Sequence, residues 1–431
     1  MKIIRFTDAD FGVRLAEVVS ASPLFDKAVD DKARLIIEEV AARGDDALLE
    51  FAPQFDGVTL TKEQLRVTPR EIRSARPKVP PRVRRATLTA ARNVLLYSRH
   101  SLRRDWKARN EQGALVGERF IPFERVGIYI PGGTAPLVST VIMTVTLAKA
   151  AGCREIVVCT PCKETPALNP VILATAAQAG ATEIYRIGGA QAIAAMALGT
   201  PSIRPVQKVF GPANAFVVAA KRLLFGKVAI DLLPGPSEVL VLADKSAEPR
   251  LVAADLLAQA EQGSMRERVW LVTDSAPLLS AVHHEMERQL ARLSRRNVIE
   301  ATLKQNACLI QVKTLADGIT LANRIAPEHC QIMTRDGTSV SKRITSAGAV
   351  FIGQYSPTVV GDYVAGPSHV LPTGGSAASF SGLTADQFQR RMSVIEYTKR
   401  TLKASVPAIV ELAGVEGLSA HAQSDLERFC K

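Results

Sequence analysis

From Arg125 to Thr334 the chain keeps one rhythm: short runs of Val, Ile and Leu alternate with Ala-rich stretches long enough for helices. Apolar runs at 126–130, 155–160, 183–187, 207–210, 228–232, 238–243, 268–273, 308–312 and 330–334 read as strands. Stretches at 138–151, 167–180, 190–198, 249–262, 276–293 and 314–325 read as helices. Strands without polar alternation have both faces covered, and strands separated by helices predict parallel sheets. Two sheets are expected, meeting near residue 235. A short internal echo supports two similar halves: Ile128-Tyr-Ile-Pro-Gly-Gly-Thr and Leu232-Leu-Pro-Gly-Pro-Ser both place a Pro-Gly turn after a β-like run.

Outside this region the pattern changes. Residues 28–50 carry an apolar stripe (Ala28, Ala33, Leu35, Ile36, Val40, Leu48) that predicts an amphipathic helix. Pro77, Pro80 and Pro81 interrupt the chain before a basic helix at 82–100. The last 45 or so residues read as helical, with Pro407 in the first turns of a segment ending near Gly414. With 431 residues more than one core is expected. The division is a helical segment at 1–124 packed partly on the second α/β unit, α/β units at 125–234 and 235–380, and a tail at 381–431 that docks elsewhere.

The net charge of +12 is local. Between Arg66 and Asn110 there are 14 Lys and Arg against 2 Asp and Glu, and the rest of the chain is balanced. Only Tyr97 and Trp106 interleave aromatics in the densest part, and no nucleic-acid-binding motif accompanies them. A solvated face, or a field that attracts a phosphorylated cofactor, is expected there rather than a nucleic-acid partner. No apolar run reaches the ~20 residues that span a bilayer, so no membrane association is expected. The N-terminus lacks a signal-peptide core, and six scattered cysteines suit buried thiols of a cytoplasmic protein. Cys159-Thr-Pro-Cys162 has redox spacing, but no second pair completes a zinc site.

Chemistry concentrates in a few loops. Ala326-Pro-Glu328-His329 sets a carboxylate beside an imidazole at an element boundary, in a chain with six histidines. The ring can accept a proton near neutral pH, and the carboxylate can activate water. Ligands of open α/β sheets sit at strand carboxyl ends. There the chain has Tyr129-Ile-Pro-Gly-Gly-Thr, Gly188-Gly-Ala-Gln191 and Gly211-Pro-Ala-Asn214. The second opens a helix whose N-terminus could face an anion. None is a GxGxxG turn. Gln259 and Gln262 share a helix face, Asp362 and His369 lie in a Gly/Pro-rich loop, and Glu416 and His421 lie near the C-terminus. Carboxylate, imidazole and amide oxygen together can hold zinc or manganese. His100, His283 and His284 read as solvent-exposed helix residues.

These segments resemble the histidinol dehydrogenase family, over about residues 30–425. The likeness is carried by Val126-Gly-Ile-Tyr-Ile-Pro-Gly-Gly-Thr-Ala-Pro, Gly188-Gly-Ala-Gln-Ala-Ile-Ala, Gly235-Pro-Ser-Glu-Val-Leu, Ala326-Pro-Glu-His and Pro367-Ser-His-Val-Leu-Pro-Thr-Gly-Gly. The resemblance implies an α/β fold with two incomplete Rossmann-like parallel-sheet domains, a helical N-terminal arm and a small helical C-terminal tail. It also implies a homodimer in which the tail completes the partner's site. The reaction implied is oxidation of L-histidinol to L-histidine with two NAD and a bound zinc.

By matching position, His329 is the base for the alcohol and Glu328 activates water. Tyr129, Gln191 and Asn214 match NAD contacts. Ser237, Asp362, Glu416 and His421, with His369 and His329, match the substrate side. Gln259, Asp362 and His421 match metal ligands. Three departures stand out. Where the family has His in Gln-Ala-Glu-His-Gly, this chain has Gln262; where it commonly has Glu four residues before the aspartate ligand, this chain has Thr358; and Gly-Pro-Gly-Asn becomes Gly211-Pro-Ala213-Asn214. An amide oxygen suits zinc poorly and manganese better. The expectation is therefore a histidinol dehydrogenase with Gln262 as a weak ligand. Two alternatives are a paralogue oxidising another small polar alcohol and a silent relative acting as a scaffold.

Overall fold

The computed structural model describes residues 1–20, 26–132, 136–212 and 214–430. The segment Gly133–Ala135 of the first glycine motif and the Ala213 departure lie outside the described residues.

The chain begins with strand β1 (Lys2–Arg5) and helix α1 (Phe11–Val19), followed by α2 (Lys27–Arg43), α3 (Asp45–Phe51), α4 (Lys62–Leu65), α5 (Pro69–Ala75) and α6 (Pro81–Ser101). The helix expected at 28–50 is two, because Gly44 adopts φ 57° between α2 and α3. A π-helical turn at Ala52–Asp56 closes on Gly57. Strands β2 (Trp106–Arg109) and β3 (Leu115–Pro122) form an antiparallel hairpin. Trp106 and its basic neighbours thus lie on a strand and not on a helical arm. The arginines of α6 point to solvent, as a hydrated face should.

The first α/β unit runs β4 (Arg125–Tyr129), α7 (Val138–Ala151), β5 (Glu155–Cys159), α8 (Pro170–Ala179), β6 (Glu183–Tyr185), α9 (Gly189–Leu198), β7 (Lys208–Phe210), α10 (Ala215–Leu224) and β8 (Ala229–Ile230). Its five strands are parallel in the order β6-β5-β4-β7-β8. Arg125, 5% exposed, ties three strands together through Glu155 (2.5 Å) and Glu183 (2.8 Å).

The second unit runs β9 (Glu238–Ala243), α11 (Pro249–Ala260), β10 (Arg268–Thr273), α12 (Ala276–Leu290), α13 (Arg296–Asn306), β11 (Ala307–Gln311), α14 (Leu315–Ile325), β12 (His329–Met333), α15 (Gly337–Ser341), β13 (Ala349–Ile352) and α16 (Thr358–Tyr363). Its six parallel strands are ordered β1-β11-β10-β9-β12-β13. Along β9, Val239 and Val241 enter one apolar layer and Leu240 and Leu242 the other, as burial of both faces requires.

Among the described residues of 1–124, β1 pairs into the second sheet and α1 packs on that unit, while Asn93 of α6 donates to the Val364 carbonyl (2.8 Å). The helices α2 to α6 share one core with the first unit, where Ile36, Val40 and Leu48 of the amphipathic stripe meet α9 and α10. The final segment opens with a strand: β14 (Gln389–Glu396) pairs antiparallel with β3 and is followed by α17 (Lys399–Val415) and α18 (Ser419–Leu426). Pro407 lies in the middle of α17, further along than the sequence suggests. Among the described residues no helix is long and apolar enough to cross a membrane. The Cys159 and Cys162 thiols are buried and burial raises both, which disfavours a redox thiolate there.

Candidate active site

Helix α14 is stopped by Pro327, which cannot continue it, and Ala326 takes the left-handed conformation (φ 48°) at the end. This turn delivers Glu328 and His329 at the start of β12, between β9 and β13. Both are buried, at 6% and 2% exposure. They therefore stand at the amino edge of the second sheet, whereas the glycine loops of the first unit stand at that sheet's carboxyl edge. Only one wall of the crevice is therefore built at strand carboxyl ends.

His329 Nδ1 is 2.8 Å from the backbone carbonyl of Glu238 and donates to it. That bond fixes the tautomer and leaves Nε2 with its lone pair free, 3.9 Å from Asp362 Oδ1. Glu328 Oε2 accepts from the Glu238 amide (2.8 Å) and from the Ser237 hydroxyl. Burial holds the Glu328 carboxyl above the ordinary carboxylate range; the His329 ring beside it and these hydrogen bonds pull the other way. Glu238 is also buried, and burial lifts it to about 7 against the pull of Arg268. His369 donates through Nδ1 to the Asp362 carbonyl (3.1 Å) and meets the Thr140 hydroxyl at Nε2 (3.3 Å). Burial lowers its readiness to take a proton.

A cavity of about 440 Å³ joins these groups. Ser237, Gln262, Glu328, His329, Asp362 and His369 line its second-unit side, and Leu137, Ser139, Thr140 and Pro212 line the first-unit side. The ring of His329 thus shares one space with the loop that leads to Asn214.

Other candidates lie apart from this cavity. Tyr129 is buried, its hydroxyl accepting from Gly189 N–H at 3.3 Å, and burial pushes its phenol up to about 12. Gln191 is 1% exposed, and neither its side-chain oxygen nor its nitrogen has a hydrogen-bond partner. Asn214 is exposed, its side-chain oxygen capping α10 through Val217 N–H at 3.1 Å. Gln259 is buried with its Nε2 unpaired and is not among the cavity-lining residues. Glu416 and His421 are exposed on the tail and do not reach the cavity of their own chain. Among the described residues no three His, Cys, Asp or Glu side chains cluster as a metal site. His283 is only half-exposed, beside Glu287 at 3.8 Å.

Three supports are not legible in the sequence. Thr373 Oγ1 accepts the Gly235 N–H, in the loop before Ser237. Lys221 and Asp231, both fully buried, form an ion pair that clamps Gly211: Lys221 donates to its carbonyl (3.1 Å) and Asp231 accepts its N–H (2.7 Å). Asp56 approaches Gly188 from the N-terminal layer. A lysine amid the apolar run Phe216–Leu224 is the one available signal for the clamp.

The sequence profile of the histidinol dehydrogenase family matches residues 21–429. The chain is 43% identical over 408 residues to a histidinol dehydrogenase of Heliobacterium mobile, covering 95% of each chain. It is 44% identical over 418 residues to one of Bradyrhizobium diazoefficiens, covering 97% of this chain and 96% of that one. The crystal structure of histidinol dehydrogenase from Elizabethkingia anophelis superposes with a TM-score of 0.94 at 35% identity, covering 100% of this chain and 98% of that one.

Proposed function

This chain belongs to the histidinol dehydrogenase family, and we propose that Glu328 and His329 carry out that family's NAD-dependent oxidation of L-histidinol to L-histidine, the last step of histidine biosynthesis. The observation that carries the assignment of residues is the free Nε2 of His329, directed into a cavity lined from both units. NAD supplies the hydride acceptor in each half-reaction. In the first half His329 Nε2 takes the hydroxyl proton as hydride leaves the same carbon, giving L-histidinal. In the second, the Glu328 carboxylate takes a proton from water as its oxygen attacks the aldehyde carbon; hydride then leaves the hydrate. Ser237 and the Glu238 amide hold Glu328, so its charge is placed before substrate arrives.

Residues 125–234 form the cofactor half and 235–380 the catalytic half. The orphaned buried amide of Gln191 fits a polar cofactor, with Tyr129 and Asn214 as its neighbours in the role. Asp362 and His369 face the substrate. Glu416 and His421 come from the tail of a second copy in a homodimer, which explains why they stay exposed and outside the cavity of their own chain.

Zinc fits the residues of one chain poorly. Gln259, Gln262 and Asp362 offer two amide oxygens and one carboxylate, a hard donor set that favours manganese or magnesium. The proton transfers at Glu328 and His329 use only the chain's own groups.

Purified protein with L-histidinol and NAD should form two NADH per alcohol consumed. Thr358, 3% exposed where the family commonly has a carboxylate toward the imidazole, favours one competing reading: a paralogue that oxidises a different small polar alcohol. No NADH from histidinol with any of zinc, manganese or magnesium, alongside turnover of another alcohol, would establish that reading instead.

A further inference from the structure

The turns at Gly188-Gly189 and Gly211 have little to offer a phosphate. Gly188 N–H is taken by the Asp56 carboxylate, Gly189 N–H by the Tyr129 hydroxyl and Gly211 N–H by Asp231. Helix α9, ten residues long, therefore already carries a negative charge at its N-terminus. A phosphate arriving there would meet an anion instead of free amides, contrary to the expectation drawn from the Gly188-Gly189 turn alone. What this helix end can receive is a hydrogen-bond donor.

A second observation points to a ligand at the same place. Gln191, on the first turn of α9, is almost fully buried with both polar side-chain atoms unpaired. Buried polar groups without partners are rare, so this amide is waiting for one. Asp56 comes in from the π-helical turn, its oxygens 2.9 and 3.1 Å from where a Gly188 Cβ would stand. Glycine at 188 leaves that room. Together the helix end presents a carboxylate that accepts and an amide that donates and accepts, which is the complement of vicinal hydroxyls. Lys163 is the charged group that faces Asp56 and partly offsets it. Burial lifts the Asp56 carboxyl to about 6, which leaves it mostly ionised at neutral pH.

Hydride must be delivered in the cavity that holds His329, and Asp56, Gln191 and Tyr129 do not line it. They therefore belong to the end of the dinucleotide remote from nicotinamide. Resting on the NAD-dependent activity argued above, we propose that Asp56 is a specificity-determining residue of the cofactor site. Its carboxylate receives the hydroxyls of the adenosine ribose, and its charge turns away a dinucleotide phosphorylated at that ribose. An acidic side chain in this role discriminates by hydrogen bonding and by repulsion together.

The test is calorimetric titration of the full-length protein with NADH and with NADPH, no alcohol present. Wild-type protein should bind NADH more tightly than NADPH. Asp56→Asn keeps an acceptor for Gly188 N–H but lacks the charge, and Asp56→Ser is the second variant should the first fold poorly; melting curves identify the folded ones. In a folded variant the NADH-to-NADPH affinity ratio should drop about ten- to a hundredfold, the range set by losing a charged hydrogen bond. A ratio unchanged from wild type, or equal binding of the two dinucleotides by wild type, overturns the assignment. Since no alcohol enters the titration, failure to oxidise histidinol would count against the reaction and leave the role of Asp56 standing.

Discussion

In the role proposed for it, His329 is prepared as a base by the bond at its other nitrogen. With Nδ1–H committed to the Glu238 carbonyl, the ring presents Nε2 to the cavity without reorienting at the moment of proton transfer. His329→Asn should lower kcat about 10²–10⁴-fold, measured as NADH formation from histidinol, with NAD affinity retained. Glu238 also carries a second signature. Its folded value of about 7 lies above the ordinary 4.5, so its protonated form suits the folded state. The stability this provides is complete below about pH 4.5 and is lost as pH rises through 7, on the order of 3 kcal/mol in all. Glu238→Gln should therefore flatten the dependence of melting temperature on pH across that window. A variant that keeps the wild-type slope would show that another group is responsible.

At the scale of elements, the turn after β7 is held more tightly than its sequence suggests. Gly211 sits at φ 121°, and a Cβ there would collide with the Tyr129 carbonyl oxygen. Gly211→Ala should raise the KM for NAD and lower the melting temperature, since it displaces both the Tyr129 strand end and the cap of α10. Strand and helix positions from β4 to β12 are readable from sequence within a few residues, because strands buried on both faces leave uninterrupted apolar runs. Helices α10 and α13 are not: α10 opens on a glycine-containing turn with Lys221-Arg222 interrupting its apolar run, and α13 has only Val298, Ile299 and Leu303 as large apolar residues among polar ones. Strand β14 is equally hidden, because it is mostly exposed and pairs with β3, some 270 residues earlier, a contact no local pattern encodes. Glu328 and His329 are legible because two reactive groups adjoin at a Pro-stopped helix. Asp56 is not, since only tertiary packing brings an ordinary Phe-Asp-Gly turn against Gly188.

For the whole molecule, the decisive feature is a tail that ends away from its own cavity. Helix α17 exposes Leu412 and Val415, and β14 exposes Ile395, apolar surface suited to a second copy. If each tail serves the other chain, two separately inactive variants should repair each other. A heterodimer of His329→Asn with His421→Ala keeps one intact site when tails are exchanged and none when they are not. Recovered NADH formation after co-expression is the expected result; lasting inactivity would return the tail to its own chain. Wild-type protein stripped of metal and reloaded should regain activity with manganese or magnesium at least as well as with zinc, as the amide oxygens of Gln259 and Gln262 beside Asp362 imply.

Occupied amides at Gly188, Gly189 and Gly211 have a consequence for ionic strength. Enzymes that grip a pyrophosphate with exposed backbone dipoles or cations lose affinity as added salt screens the contact. If Asp56 and Gln191 hold the ribose as proposed, little of the grip falls on phosphate, and the Michaelis constant for NAD should stay nearly flat from dilute buffer to high sodium chloride. A steep decline in affinity would instead reveal that the arginines along α6 gather the dinucleotide from solution.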